Sequence, residues 1–341
     1  MSKYAAFCWL AVLAWCGCTR FSSIHPADQT VYSRYESDFA AAGGGQAFTS
    51  AMDALLRIYC SADYTIYQFS QRQTLQRHQL SENTLKRAIS TTWLTRSVYS
   101  TGTLVDMHGS GVLIVTCNHI TDFADTLISY RRDQTGRQTL YVETVSIKVR
   151  QTLTAPSLTD EVELEVLGCD REKDILLLVG RFKISPTKEV AVFPFQFGPA
   201  GNLEWGTKTA LLGFPRGVKS VTRGMVCNPV VQRDGKFVID ALFNMGYSGG
   251  PVLATRREGD GFEWIGMALS SAGESLSVLV PEESFGLSDS EDYPGIARTH
   301  RLDRIFYGLC NVVSAEEIAR VFRQHRDLLR RNGFDLAADQ R

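Results

Sequence analysis

Three short segments carry the residue types that acyl transfer needs. Gly246-Tyr247-Ser248-Gly249-Gly250-Pro251 sets a hydroxyl among glycines. Serine attack on a carbonyl requires that hydroxyl on a tight turn, with backbone N–H groups converging on the developing oxyanion. Glycines two before and one after the serine permit the turn and the close approach of another backbone. The second segment runs from Ser110 through Gly111-Val112-Leu113-Ile114-Val115-Thr116-Cys117-Asn118 to His119 and Ile120. An imidazole at the end of such an apolar strand can meet a serine carried elsewhere and take its proton. The third, Asp170 to Val179, sets Asp174 at the mouth of a fully apolar strand. A carboxylate there either caps the strand or orients an imidazole N–H. Each segment alone has an ordinary reading: a glycine-rich hairpin loop, a core or turn histidine, an exposed strand cap. In the chain order His, Asp, Ser they compose a nucleophile, its base and the group that orients the base.

The elements that must position these residues are short strands. From about residue 92 apolar runs alternate with turns: Gly111 to Thr116, Val162 to Val166, Ile175 to Val179, Lys208 to Leu212, Val226 to Gln232, Phe237 to Ile239 and Trp264 to Ala268. Regularly spaced short strands with Gly and Pro between them predict a sandwich or barrel. The preceding stretch reads differently. Ala40 to Gly45 is a small-residue tether, and Met52, Leu55, Leu56 and Tyr59 recur at steps that predict a helix over Phe48 to Ile58. Tyr64 to Phe69 predicts a short strand, and Ser81-Glu82-Asn83 opens a second helix with Leu85, Ala88 and Ile89 facing inward. Residues 18–91 therefore read as a tether and a mainly helical extension. At the far end, Pro281 to Arg298 is an acidic surface loop. Ser314-Ala315-Glu316-Glu317 has the order of a capping box and opens an amphipathic helix carrying Ile318, Val321, Phe322, Leu328 and Leu329. His325 falls at its edge, outside any site, and residues 331–341 form a tail.

These motifs resemble the trypsin-like serine peptidases and, within them, the bacterial HtrA/Deg-type proteases. The family's histidine closes a Gly-Ser-Gly-strand-Thr-Asn-x-His run, matched by Gly109-Ser110-Gly111 and Thr116-Cys117-Asn118-His119. Its aspartate opens an Asp-Ile-Ala-Leu-Leu strand, matched by Asp174-Ile175-Leu176-Leu177-Leu178. Its nucleophile lies in Gly-Asn-Ser-Gly-Gly-Pro, with Tyr247 here in place of Asn. Leu212-Gly213-Phe214-Pro215 and Val221-Thr222-Arg223-Gly224 are weaker echoes, and Trp264-Ile265-Gly266-Met267 stands where the family's substrate-pairing strand follows the serine.

The resemblance implies a mainly β protein, a double six-stranded β-barrel over residues 92–330 with barrel one over 92–185 and barrel two over 186–330. It also implies Ser248 as nucleophile, His119 as base and Asp174 as orienter, with the N–H groups of Gly246 and Ser248 forming the oxyanion hole. No cofactor or metal is required. The primary pocket would be walled by Leu242, Phe243, Ala268 and Leu269. An apolar residue at Leu242, six before the nucleophile, cannot select Lys or Arg by charge pairing, so the expected preference is for small or medium apolar residues on the acyl side of the cut. Protein or peptide substrates are the expected partners, and an oligomer is a candidate assembly because relatives of this type are often trimers. Departures are Tyr247, the lack of a following PDZ domain, and the separation of 55 positions from His119 to Asp174, which places a loop or extra hairpin around Arg131 to Thr159. The alternative reading is a catalytically silent fold used for binding or scaffolding; a further one is a triad acting on a non-peptide ester.

Composition narrows the remaining classes. A net charge of −1 across 341 residues and a pI of about 6.6 leave no basic footprint for nucleic acid. The start, Lys3 followed by the apolar run Ala5 to Trp15, reads as an export signal over residues 1–17, with Cys18 after Gly17 as the candidate lipidated residue. The expected location is periplasmic or elsewhere in the cell envelope, with membrane attachment only through that anchor. Of eight cysteines, Cys60, Cys117, Cys169, Cys227 and Cys310 lie beyond the signal region; disulfides and free buried thiols both remain open for them.

Overall fold

The computed structural model describes residues 44–134, 136–156, 162–182, 190–229, 235–255, 261–281 and 297–335. The export signal, Cys18, most of the small-residue tether and nearly all of the acidic stretch after Pro281 lie outside them.

Two antiparallel barrels make up the body. In the first, β1 (Leu55–Gln68), β2 (Ser90–His108), β3 (Gly111–Cys117), β7 (Ile175–Arg181), β6 (Val162–Asp170) and β5 (Gln138–Ala155) pair in that order. Pairing of β1 with β5 closes the ring. β4 (Thr126–Arg132) hangs on the outer side of β5, so the stretch between His119 and Asp174 folds as the hairpin β4–β5. The second ring is β10 (Lys236–Ile239), β13 (Ala297–Ser314), β12 (Phe262–Pro281), β11 (Pro251–Thr255), β8 (Lys208–Gly213) and β9 (Ser220–Asn228).

Two local expectations are corrected. The helix expected over Phe48 to Ile58 ends early: α1 is Gly44–Asp53, and Leu55 onward is the long strand β1. There Leu56, Ile58, Cys60, Ala62 and Tyr64 are buried while the residues between them are partly open. That period of two is the strand signature, and Leu55, Leu56 and Tyr59 mimicked a helical face only because both periods coincide over a few residues. The supposed mainly helical extension thus supplies a stave of barrel one, which begins near residue 55 and not near 92. The second expected helix is one turn, α2 (Glu82–Leu85), capped by the Ser81 hydroxyl, and Ile89 is 61% exposed.

β3 and β7 pair along their whole lengths, and all of β3 and nearly all of β7 is buried. Their unbroken apolar runs follow from cover on both faces, as in any strand lost to solvent on two sides. An aromatic seam joins the crossover segment to barrel two: Phe193 lies edge-on to Trp264 at 5.0 Å, and Phe197 stands 4.9 Å from the same ring. The indole Nε1 donates to the Gly266 carbonyl at 2.7 Å.

The C-terminal helix forms as α3 (Ala315–Gln324), followed by α4 (Arg326–Arg331). The expected capping box does not: Ser314 makes no side-chain cap. Glu317 instead pairs with Arg320, and Glu316 accepts from the Ala200 N–H at 2.7 Å. Arg320 also reaches Asp170 on β6 at 2.8 Å, so α3 packs on barrel two and is pinned to barrel one. His325 donates to or accepts from nothing catalytic; its Nδ1 meets the Val321 carbonyl at 3.0 Å. Phe334, within the expected tail, is buried. Among the described residues no helix is long and apolar enough to cross a membrane.

Candidate active site

His119 sits on the turn Asn118–Thr121 that ends β3. Asp174 stands at the start of β7, the strand beside β3, and grips it twice. Its Oδ1 accepts the His119 backbone N–H at 2.7 Å, and its Oδ2 accepts from Nδ1 at 2.6 Å. The Asp174 carbonyl takes the Asn118 N–H at 3.1 Å. Asp174 has φ 59, a left-handed conformation that costs a non-glycine residue about 1–3 kcal/mol. The hydrogen bonds to Asn118 and His119 hold it there.

The imidazole is titrated by these neighbours. Burial opposes its charge, but the Asp174 carboxylate and then the Cys117 sulfur outweigh burial and hold it up to about 10. The Cys117 contact is direct: Sγ lies 3.5 Å from Nε2. The side chain of His119 is still 43% open to solvent.

Ser248 occupies a turn entered from barrel two. The Tyr247 N–H donates to the Asn244 carbonyl and the Gly250 N–H to the Tyr247 carbonyl. Gly246 has φ 102 and Gly249 φ 81. A Cβ on Gly246 would run into the Phe214 carbonyl, and one on Gly249 into the Thr101 carbonyl and the Thr116 hydroxyl. Both positions therefore need glycine for space as well as for backbone conformation. Among the described residues, no protein acceptor takes the N–H of Gly246 or of Ser248, which leaves both donors for an incoming oxyanion. The Ser248 hydroxyl donates to the Leu269 carbonyl at 2.9 Å and makes no hydrogen bond with His119. His119 and Asp174 are thus joined, while serine and base are each paired elsewhere in this resting arrangement.

Tyr247, the departure beside the nucleophile, is buried in the core of barrel two with Phe243, and burial pushes its phenol up. Its bulk points away from solvent. The pocket candidates divide: Leu242 is 65% exposed, whereas Phe243, Ala268 and Leu269 are buried. Ala268 ties the serine turn to β12, accepting from Gly249 and donating to Gly250. Phe243 belongs to the barrel interior, so Leu242 is the candidate left at the surface.

Two residues near the site carry no sequence signal. Cys117 looked like one scattered thiol among several, and all five cysteines beyond the signal region are free thiols. Thr101 is one hydroxyl in the run Ser100 to Thr103, and its partner Gly246 lies 145 positions on. Among the described residues no cluster of three or more His, Cys, Asp or Glu side chains could hold a metal ion.

Two barrels with an Asp174-braced His119 and a serine turn between glycines define the class of the trypsin-like serine peptidases. Residues 100–261 match the family model of the trypsin-like peptidase domain. Among solved structures, the chain is similar to the HtrA-type protease AlgW with tripeptide, at 16% identity and a TM-score of 0.40, covering 84% of this chain and 63% of that one. It is similar also to the serine endoprotease from Yersinia pestis, at 16% identity and a TM-score of 0.41, covering 86% and 69%. The chain therefore spans less than two thirds of the AlgW structure. No curated protein matches it by sequence.

Proposed function

We propose that the protein is a serine endopeptidase acting through an acyl-enzyme on Ser248. The observation that carries this reading is the double grip of Asp174 on His119, which fixes Nδ1 as the donor and leaves Nε2 as the only ring nitrogen able to take a proton. For the reaction, the Ser248 hydroxyl turns from the Leu269 carbonyl toward Nε2. Nε2 takes the proton, Oγ bonds to the substrate carbonyl carbon, and the N–H groups of Gly246 and Ser248 receive the oxyanion. The imidazolium then returns the proton to the leaving amine, and water repeats the sequence to free the acid. Losing one oxyanion donor in such a site typically costs about 3–4 kcal/mol.

The reading extends to small or medium apolar residues on the acyl side of the cut, supported by the apolar side chain of Leu242 where an acid would be needed to select Lys or Arg. It also puts the protein outside the cytoplasm, on the strength of Lys3, the apolar run to Trp15 and the Gly17-Cys18 pair. Fatty-acid labelling of the full chain, abolished by Cys18→Ala, is the expected sign of the lipid anchor.

The test is labelling of the full chain by a fluorophosphonate, with Ser248→Ala and His119→Ala alongside. Labelling of the parent that both substitutions abolish is expected. A folded parent that does not label would favour the second reading, a binding module, to which the separate pairing of Ser248 and His119 lends its one support.

A further inference from the structure

Thr101 lies on β2 of barrel one, is fully buried, and touches the serine turn of barrel two at both ends. Its hydroxyl donates to the Gly246 carbonyl at 2.6 Å and accepts from the Phe214 N–H at 3.0 Å. Its backbone N–H donates to the Ser248 carbonyl at 2.8 Å. One residue of the first barrel therefore holds the residues on either side of Tyr247. A Cβ on Gly213 would stand 2.6 Å from the Thr101 hydroxyl, so the bare backbone at that position makes room for the hydroxyl.

The same residue is connected to the histidine. The Thr101 carbonyl accepts from the Thr116 hydroxyl at 2.8 Å, and that hydroxyl meets the Ser100 hydroxyl at 2.9 Å. Thr116 lies on β3, just ahead of Cys117 and His119. The strand that leads to the base is thus tied through the Thr116 hydroxyl to the Thr101 backbone, and Thr101 in turn is tied to the turn that carries the nucleophile.

From these contacts we infer that Thr101 is a positioning residue for the oxyanion hole. Gly246 can rotate freely about its own backbone bonds, because it has no side chain to restrict them. Fixing its carbonyl oxygen from outside sets the peptide plane that follows it, and the Ser248 carbonyl bond sets the plane beyond. The Ser248 N–H lies between these two held planes, and the Gly246 N–H lies in the plane just before them, whose Met245 carbonyl accepts from the Arg216 N–H. A valine at position 101 keeps the shape and removes the hydroxyl, leaving the Gly246 carbonyl and the Phe214 N–H without their partner. The hole then samples orientations that do not face the oxyanion, and transition-state stabilisation falls more than substrate binding.

This inference rests on the serine endopeptidase reading, and the experiment separates the two. The full chain, Thr101→Val and Thr101→Ser are compared by thermal melting, by fluorophosphonate labelling rate and by kcat and KM on a peptide that the parent cleaves. For Thr101→Val a loss of about 100-fold in kcat is expected, the scale of a small misplacement of reacting groups, with KM little changed and labelling slowed in step. Thr101→Ser, which keeps the hydroxyl, restores kcat to near the parent value. A folded Thr101→Val that matches the parent in kcat and labelling overturns the inference alone. So does a Thr101→Ser as slow as Thr101→Val, since packing and not the hydroxyl would then be responsible. Should Thr101→Val not fold, Thr101→Ala, with no γ atoms to clash, carries the same comparison. A parent that neither labels nor cleaves overturns both readings.

Discussion

The Cys117 sulfur stands 3.5 Å from Nε2 of His119, the nitrogen that must face Ser248 for proton transfer. With Asp174 on Nδ1 and Cys117 on Nε2, both ring nitrogens are occupied, and the imidazole is held up to about 10 against the opposing effect of its burial. A general base must be neutral to act. The acylation rate of the parent is therefore expected to rise through the alkaline range. Cys117→Ala removes one of the two side chains that raise the imidazole, so its profile should shift toward neutral pH and its rate at about pH 7 should increase. A fluorophosphonate labelling rate followed against pH for both proteins is the check; an unshifted profile would show that the sulfur does not hold the base.

The same group links stability to pH. An imidazole raised in the folded state above its ordinary 6.5 stabilises the fold fully below that value, and the contribution is lost as pH rises through about 10. The parent should therefore lose melting temperature between these limits by more than an Asp174→Asn variant, which lacks the main partner holding the imidazole charged. Melting curves across that window test it, and parallel curves would remove His119 as the source.

Gly249→Ala is expected to be among the most damaging single changes. It imposes a side chain at φ 81 and drives it into the Thr101 carbonyl and the Thr116 hydroxyl. Backbone is a poor thing to displace, so a loss of about 2–3 kcal/mol is expected, together with loss of fluorophosphonate labelling. Denaturant unfolding measures the first; a variant as stable as the parent would mean that the turn relaxes without cost.

Leu242→Asp should leave the fold nearly untouched, within about 0.5 kcal/mol, because Leu242 is already exposed. Its effect should fall on selectivity: cleavage after Arg or Lys rises relative to cleavage after apolar residues. A peptide panel reads the ratio, and an unchanged ratio would place Leu242 outside the pocket.

The contact of His119 with Asp174 and the glycine turn that carries Ser248 were legible because each comes with local spelling: an apolar strand before His119, another after Asp174, glycines around Ser248. Barrel architecture was legible from the rhythm of short strands. What escaped depends on distance or on overlapping periods. β1 escaped because Leu55, Leu56 and Tyr59 fit a helical face until the alternation from Leu56 to Tyr64 is followed to its end. Ser314 to Glu317 spelled a cap, yet Glu317 pairs with Arg320 one turn on in the same helix, and Glu316 is taken by the distant Ala200 N–H. Thr101 and Cys117 gave no signal at all, since their roles arise only where the two barrels meet or where a turn folds back.

The ring of barrel two closes only when β13, near the end of the chain, pairs with both β10 and β12. The contact between Thr101 and Gly246 spans 145 positions. Contacts so distant along the chain are costly to close and slow to form. During synthesis the nascent polypeptide therefore carries a serine, a histidine and an aspartate but no working cleft. On the proposed reading, the cleft is complete only once these distant contacts have formed.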